Sequence, residues 1–220
     1  MQNKNFKKGK FIVLEGIDSC GKDTQQDLLQ EYFNRPENIE KYGEFVSVRV
    51  LDEQDKKQKR IREIIFNKDF RFETEAEIFL FWADKFEMLK KIKYAVENGK
   101  NVLVNRWELS NFAYQIFGKQ KEDLREISET IRKFIEKDLQ PDLYILFDIS
   151  PEESQRRKFI RTQTTGKFED YYDNAKKDFI ERVIKGYKTE IQKFSHVIID
   201  GEQSKEKVFE NTLQTIKNIL

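Results

Sequence analysis

The 220-residue sequence predicts an α/β protein, a doubly wound five-stranded parallel sheet flanked by helices. Three observations carry this prediction. Five short apolar runs alternate with stretches of helical periodicity, the pattern of βαβ units with both sheet faces covered. The first run, Phe11–Glu15, passes directly into Gly16-Ile17-Asp18-Ser19-Cys20-Gly21-Lys22 and then into a helical pattern, a turn suited to binding phosphate. Right-handed crossovers bring the carboxyl ends of the strands to one edge, where Gly16–Lys22, Asn105-Arg106 and Arg49 all fall.

The elements follow in order. Phe11–Glu15 is the first strand. Thr24–Asn34 is a helix with Leu28, Leu29, Tyr32 and Phe33 at helical spacing, ended by Pro36. Phe45–Val50 is the second strand. The charged run Asp52–Arg62 reads as a solvated loop leading into a short helix over Ile61–Phe66. Glu75–Asn98 is one long helix stopped by Gly99, and its apolar Ile78–Ala83 stretch predicts burial on more than one side. Asn101–Asn105 is the third strand, followed by helical Leu109–Phe117 and Lys121–Lys137. Pro141 introduces the fourth strand, Asp142–Ile149. Glu152–Arg161 is helical, and polar Thr162–Gly166 suits a lid spanning residues 160–173 of a single domain. Asn174–Phe194 is helix, His196–Asp200 the fifth strand, and Lys205–Leu220 a closing helix. His196, the only histidine, is expected to be structural.

Composition excludes several function classes. Lys and Arg total 41 against 40 Asp and Glu, so no global field argues for nucleic acid or a membrane surface. Cys20 is the only cysteine, which rules out an internal disulfide and a Cys-rich metal centre; a reducing, cytoplasmic home is the expectation. Met1–Lys10 is polar and basic, unlike a signal peptide or anchor, and no run approaches the ~20 apolar residues of a membrane helix.

The loop after the first strand matches G-x-x-x-x-G-K-[ST] up to its last position, where Asp23 stands. Glycines let the backbone N–H groups turn toward phosphate oxygens, the helix N-terminus adds positive potential, and Lys22 supplies a mobile charge. Phe81 and Lys85, four apart, share a helix face: a ring beneath a cationic donor would suit a flat base with a carbonyl edge, while an apolar stripe at helical spacing by itself reads as core. Arg106, leaving the third strand beside this loop, suits a bidentate phosphate contact.

Glu15-Gly16-Ile17-Asp18 with Gly21-Lys22-Asp23-Thr24-Gln25, Phe81-Trp82-Ala83-Asp84-Lys85, Asn105-Arg106-Trp107 with Ser110 and Ala113-Tyr114-Gln115, Pro141-Asp142-Leu143 through Asp148 and Pro151, and Lys167-Phe168-Glu169 together resemble the motifs of the thymidylate kinases. The resemblance runs in order over nearly the whole chain. It implies a P-loop kinase of strand order 2-3-1-4-5, a homodimer, that moves the γ-phosphoryl of ATP onto dTMP with Mg²⁺. ATP would lie on Gly16, Ile17, Asp18, Ser19, Cys20, Gly21, Lys22, Asp23 and Thr24. The acceptor would meet Asp18, Arg49, Phe81, Lys85, Arg106, Ser110, Gln115 and Phe168, with Asp18 taking the sugar 3′-OH and Phe168 near the sugar edge. Catalytic charge would come from Lys22 and Arg106, with Asp18, and from a lid cation among Arg156, Arg157, Arg161 and Lys167; Arg161 and Lys167 are the leading candidates. The chain departs from the pattern at Asp23 for a hydroxyl, Asn105 for an acid and Lys85 for an arginine, and the R-E-P-G-G-T loop is absent. Asp23 and Asn105 are therefore the expected metal positions, facing each other across the phosphate site. A kinase for another deoxynucleotide or nucleoside, and a nucleotide-binding protein with weak turnover, are the alternatives.

Overall fold

The computed structural model describes residues 8–67, 69–137, 139–165 and 176–220. Its centre is a five-stranded parallel sheet in the order β2-β3-β1-β4-β5, formed by β1 (Phe11–Glu15), β2 (Phe45–Arg49), β3 (Asn101–Asn105), β4 (Leu143–Asp148) and β5 (His196–Asp200). β1 and β3 are buried along their whole length, as strands covered by helices on both faces must be, whereas the edge strands β2 and β5 are partly open. Register aligns Leu14 and Arg49 with Asn105, so the carboxyl ends of three strands share one row.

The helices are α1 (Lys22–Phe33), α2 (Pro36–Tyr42), α3 (Lys56–Ile65), α4 (Thr74–Glu97), α5 (Glu108–Asn111), α6 (Arg125–Ile135), α7 (Pro151–Thr165), α8 (Lys177–Glu190) and α9 (Lys205–Lys217). Gln26 ties α1 to the sheet: its side-chain amide donates to the carbonyls of Val48 (3.1 Å) and Leu103 (2.9 Å). Phe33 stacks on Phe45 at 4.0 Å, and Phe11 meets Trp107 edge-on at 5.7 Å. Apolar burial on both faces of the central strands, at roughly 25 cal/mol per Å², is the main stabilising term.

Several boundaries differ from expectation. Pro36 opens a helix as well as following one, because its fixed φ suits the first helical position. Most of the charged run is helix: Asp55 caps α3 by accepting from Lys57 N and Gln58 N, and Lys56, Lys57, Lys59 and Arg60 are exposed while Gln58 and Ile65 are buried. α7 runs four residues past Arg161, with the Thr162 and Thr164 hydroxyls bonded to the Lys158 and Ile160 carbonyls. The lid's expected residues 166–173 lie outside the described residues.

The largest departure is the segment Phe112–Gly118, which is π-helical rather than α-helical. Lys119 N bonds to Tyr114 O and Lys121 N to Ile116 O, five residues back. The segment packs tightly on α8. A Cβ on Gly118 would lie 2.8 Å from the Phe179 ring, and one on Gly186 would lie 2.9 Å from both Ala113 and Phe117.

Candidate active site

The loop 16–21 wraps the mouth between β1 and α1. Gly16 has φ 143° and lies so close to β4 that a Cβ would sit 2.7 Å from the Phe147 carbonyl oxygen. Gly21, at φ 96°, ends the loop and starts α1. These are the two positions where the turn requires glycine. Ser154 Oγ donates to the Asp18 carbonyl at 2.9 Å and holds the loop from α7. The Lys22 ammonium folds over the loop and donates to Ile17 O at 3.3 Å.

Two pockets meet at this loop. The first, about 1040 Å³, runs along Ser19, Gly21, Asp23 and Thr24 to Arg157, Arg161 and Lys205. Arg157 roofs it, donating to the Ser19, Cys20 and Gly201 carbonyls and pairing with Glu153. The second, about 620 Å³, is bounded by Asp18 and Arg106 on the loop side, Phe81 and Lys85 on α4, and Ser110, Asn111, Tyr114 and Gln115. Its remaining wall is Val50, Leu51, Arg62 and Phe66.

Arg106 lines the second pocket beside Asp18. Its backbone is left-handed (φ 66°), a conformation rare for a side chain of this size. Glu15 holds that turn: its buried carboxylate accepts from Trp107 N at 2.8 Å and from Ser110 Oγ at 2.7 Å. The Arg106 guanidinium pairs with Asp18, donates to Tyr187 OH at 2.7 Å and reaches Ser110 Oγ at 3.3 Å. Tyr114 OH donates to the other Asp18 oxygen at 3.2 Å. Burial pushes the Asp18 carboxyl up, but the charges of Arg106, Lys22 and Lys158 outweigh it and bring it down to about 2. Burial raises Glu15 above the usual carboxylate range, with Arg106 and Ser110 opposing.

Asp23 and Asn105 meet as expected: Asn105 Nδ2 donates to Asp23 Oδ1 at 2.9 Å. Desolvation opposes ionisation of Asp23, but Lys22, Arg106 and Arg49, with the Asn105 hydrogen bond, hold it below its ordinary value. Arg49 pairs with Asp27 and approaches Asp23 at 3.8 Å; it is not on the wall of the second pocket.

Lys85 is fully buried, 5.8 Å from the centre of the Phe81 ring, and burial lowers its ammonium to about 8. Ser110 lines the second pocket but gives its proton to Glu15. Arg156 pairs outward with Glu153. Lys167 and Phe168 lie outside the described residues.

The sequence reading missed Arg62, Phe66, Asn111 and Tyr187, and gave no separate role to Glu15 or Tyr114. For α3 a signal existed: Asp55 three residues before Gln58, then Ile61 and Ile65 at helical spacing, is a capped amphipathic helix. For Tyr187, 81 residues from Arg106, no local signal exists.

A family model described as Thymidylate kinase matches residues 14–212. Among curated proteins, the thymidylate kinase of Thermoanaerobacter sp. (strain X514) is 32% identical over 218 residues, covering 97% of this chain and 100% of its own. That of Prochlorococcus marinus (strain AS9601) is 30% identical over 219 residues, covering 96% and 97%. That of Caldicellulosiruptor saccharolyticus is 30% identical over 217 residues, covering 97% and 98%.

Proposed function

The chain belongs to the thymidylate kinase family, and on that premise we propose how its own residues carry the transfer of a phosphoryl group from ATP to dTMP. It is an ATP:dTMP phosphotransferase, giving dTDP and ADP. The observation that carries the residue assignment is that Asp18 and Arg106, paired with each other, wall the second pocket while the adjoining residues Ser19, Gly21, Asp23 and Thr24 wall the first. ATP lies in the first pocket with its phosphates on the N–H groups of the loop 16–21 and on Lys22. The acceptor lies in the second, its base between Phe81 and Lys85, its sugar against Asp18 and Tyr114, and its phosphate on Arg106.

Transfer of this kind needs little covalent help; positioning and charge stabilisation supply the rate. Arg106 bridges the attacking and transferred phosphates, and the Glu15 and Tyr187 contacts keep its guanidinium aimed. Arg161, on the wall of the ATP pocket, is the lid-side cation for the donor phosphates.

Mg²⁺ fits the donor set. Asp23 is an oxygen ligand depressed toward its charged form, at the end of the loop, with Asn105 steadying it. Hard oxygen donors suit this ion, which keeps several waters. Asp23 would hold it, directly or through a water, and bound there it would neutralise charge on the ATP phosphates. The molecule works as a cytoplasmic homodimer in this reading. The support for a second copy is the row of exposed aromatics on α4 and α6, where Phe86 and Phe134 stand 6.0 Å apart.

A coupled assay of ADP release over a panel of nucleoside monophosphates, titrated with Mg²⁺, tests this reading. Preference for dTMP is expected. Asp23→Ala should lose activity at limiting Mg²⁺, and Asp23→Ser with Asn105→Asp should restore it. An unchanged Mg²⁺ dependence in Asp23→Ala would remove Asp23 from the metal.

A further inference from the structure

Gln58 is an uncharged residue inside a charged run, and it is wholly buried near the start of α3. Its amide is used at both ends. Nε2 donates to the Arg49 carbonyl at 3.1 Å and to Asp84 Oδ1 at 2.9 Å, and Oε1 accepts from Lys91 Nζ at 3.0 Å. A carbonyl only accepts and an ammonium only donates, so the amide sits in one sense alone.

Asp84, wholly buried on α4, takes that amide on one oxygen and Leu51 N on the other, at 3.0 Å. Leu51 lies in the turn after β2 with φ 52°, a left-handed backbone rare for a side chain of its size. Such a conformation persists only where its surroundings over-determine it. At the far end Lys91, on the same face of α4 as Asp84, pairs with Asp55 at 2.8 Å, and Asp55 caps α3. The end of β2, the start of α3 and two turns of α4 are thus joined by bonds of fixed direction. These elements carry a wall of the second pocket, formed by Val50, Leu51, Arg62 and Phe66. Asp55, Gln58, Asp84 and Lys91 do not line it themselves.

We propose that Asp84 and Gln58, steadied by Lys91 and Asp55, are positioning residues that station this wall against the acceptor nucleotide. They act through the Leu51 turn and the placement of α3, without touching the nucleotide. This deepens the kinase reading and rests on dTMP entering the second pocket. Loosening the network costs acceptor affinity and spares the ATP pocket, whose lining includes none of these residues.

Exchanging the two functional groups is the discriminating test. With its oxygen kept by Leu51 N, Asp84→Asn alone sets an N–H against the Gln58 N–H. Gln58→Glu alone sets two carboxylates together. Combined, the new amide at position 84 gives its N–H to the new carboxylate at position 58, and the negative charge moves toward Lys91. Only the bond to the Arg49 carbonyl then has no counterpart. Each single variant should raise the KM for dTMP, and its Kd by calorimetry, about tenfold, the scale of one or two buried hydrogen bonds. The KM for ATP and kcat should change little, and the double variant should recover most of the loss. Lys91→Met, at the partly exposed end of the network, should shift dTMP the same way by less; it carries the test if the melting temperature shows a single variant unfolded. A KM for dTMP that stays at the wild-type value in every folded variant overturns the proposal. So does a double variant no better than Asp84→Asn, which would place the effect in the lost charge beside Lys85, or a KM for ATP that rises in step. If the wild type binds dTMP and the Kd pattern holds without any dTDP forming, the positioning role stands and the kinase assignment fails.

Discussion

Raising the pH from 7 to 9 perturbs one side chain of the acceptor pocket more than any other. Lys85 is enclosed by Asp84 on its own helix, Glu15 from β1, Glu108 from α5 and Arg106, and burial lowers it to about 8 from an ordinary 10.5. If its charge helps to hold the acceptor base, kcat/KM for dTMP should break near pH 8 and fall about tenfold by pH 9, since that profile follows the free enzyme. The kcat/KM for ATP should not share the break. Stability moves in the opposite direction. Between about 8 and 10.5 the unfolded chain binds the extra proton, so stability rises with pH across that window, by up to roughly 3 kcal/mol in total. Lys85→Arg carries a charge that does not titrate here, so its dTMP profile should stay flat to pH 9. The assay is initial-rate ADP release at saturating ATP, with coupling enzymes in excess at each pH. A flat wild-type profile to pH 9.5, or an equal fall in Lys85→Arg, would refute the reasoning.

Three further outcomes follow from the same geometry. Lys22→Ala should lower kcat at least ~10²-fold, the scale of one preorganised charge donor, with little change in melting temperature because the hydrogen bond it makes among the described residues is to Ile17 O in the loop. Phe81→Ala should weaken dTMP binding by roughly 1–3 kcal/mol, as for base–aromatic stacking, and leave ATP affinity alone by calorimetry; equal losses for both would make Phe81 a packing residue. Gly186→Ala should destabilise by about 1–3 kcal/mol in urea unfolding, because its Cβ drives α8 off Ala113 and Phe117. It should also slow transfer, since the next residue, Tyr187, holds Arg106.

The sheet was legible because five apolar runs of strand length left little choice, and the strand order came with the family resemblance and holds. The phosphate loop was legible because glycine spacing is a backbone requirement written in local sequence: Gly16 and Gly21 sit where the turn needs them. The facing of Asp23 and Asn105 followed from β3 lying next to β1. What stayed hidden depends on contacts across the fold. The π-helical turn at Phe112–Gly118 looks α-helical by period, and the close packing of Gly118 on α8, and of Gly186 of α8 on Ala113 and Phe117, is visible only in the fold. The hydrogen bond from Lys85 to Asn111 joins residues 26 apart in the sequence. Arg62 and Phe66 were obscured because a charged run reads as solvated until its capped, amphipathic period is weighed, and only the fold brings its last turn to the pocket wall.

The central claim is that a phosphoryl group passes from the loop 16–21 to an acceptor held beside Arg106. Phosphorus NMR of the protein with ATP, dTMP and Mg²⁺ follows both partners at once. dTDP and ADP should rise in equal amounts with no free phosphate, and neither product should form at an appreciable rate with Lys22→Ala. ADP and inorganic phosphate accumulating while dTMP stays unchanged would contradict it.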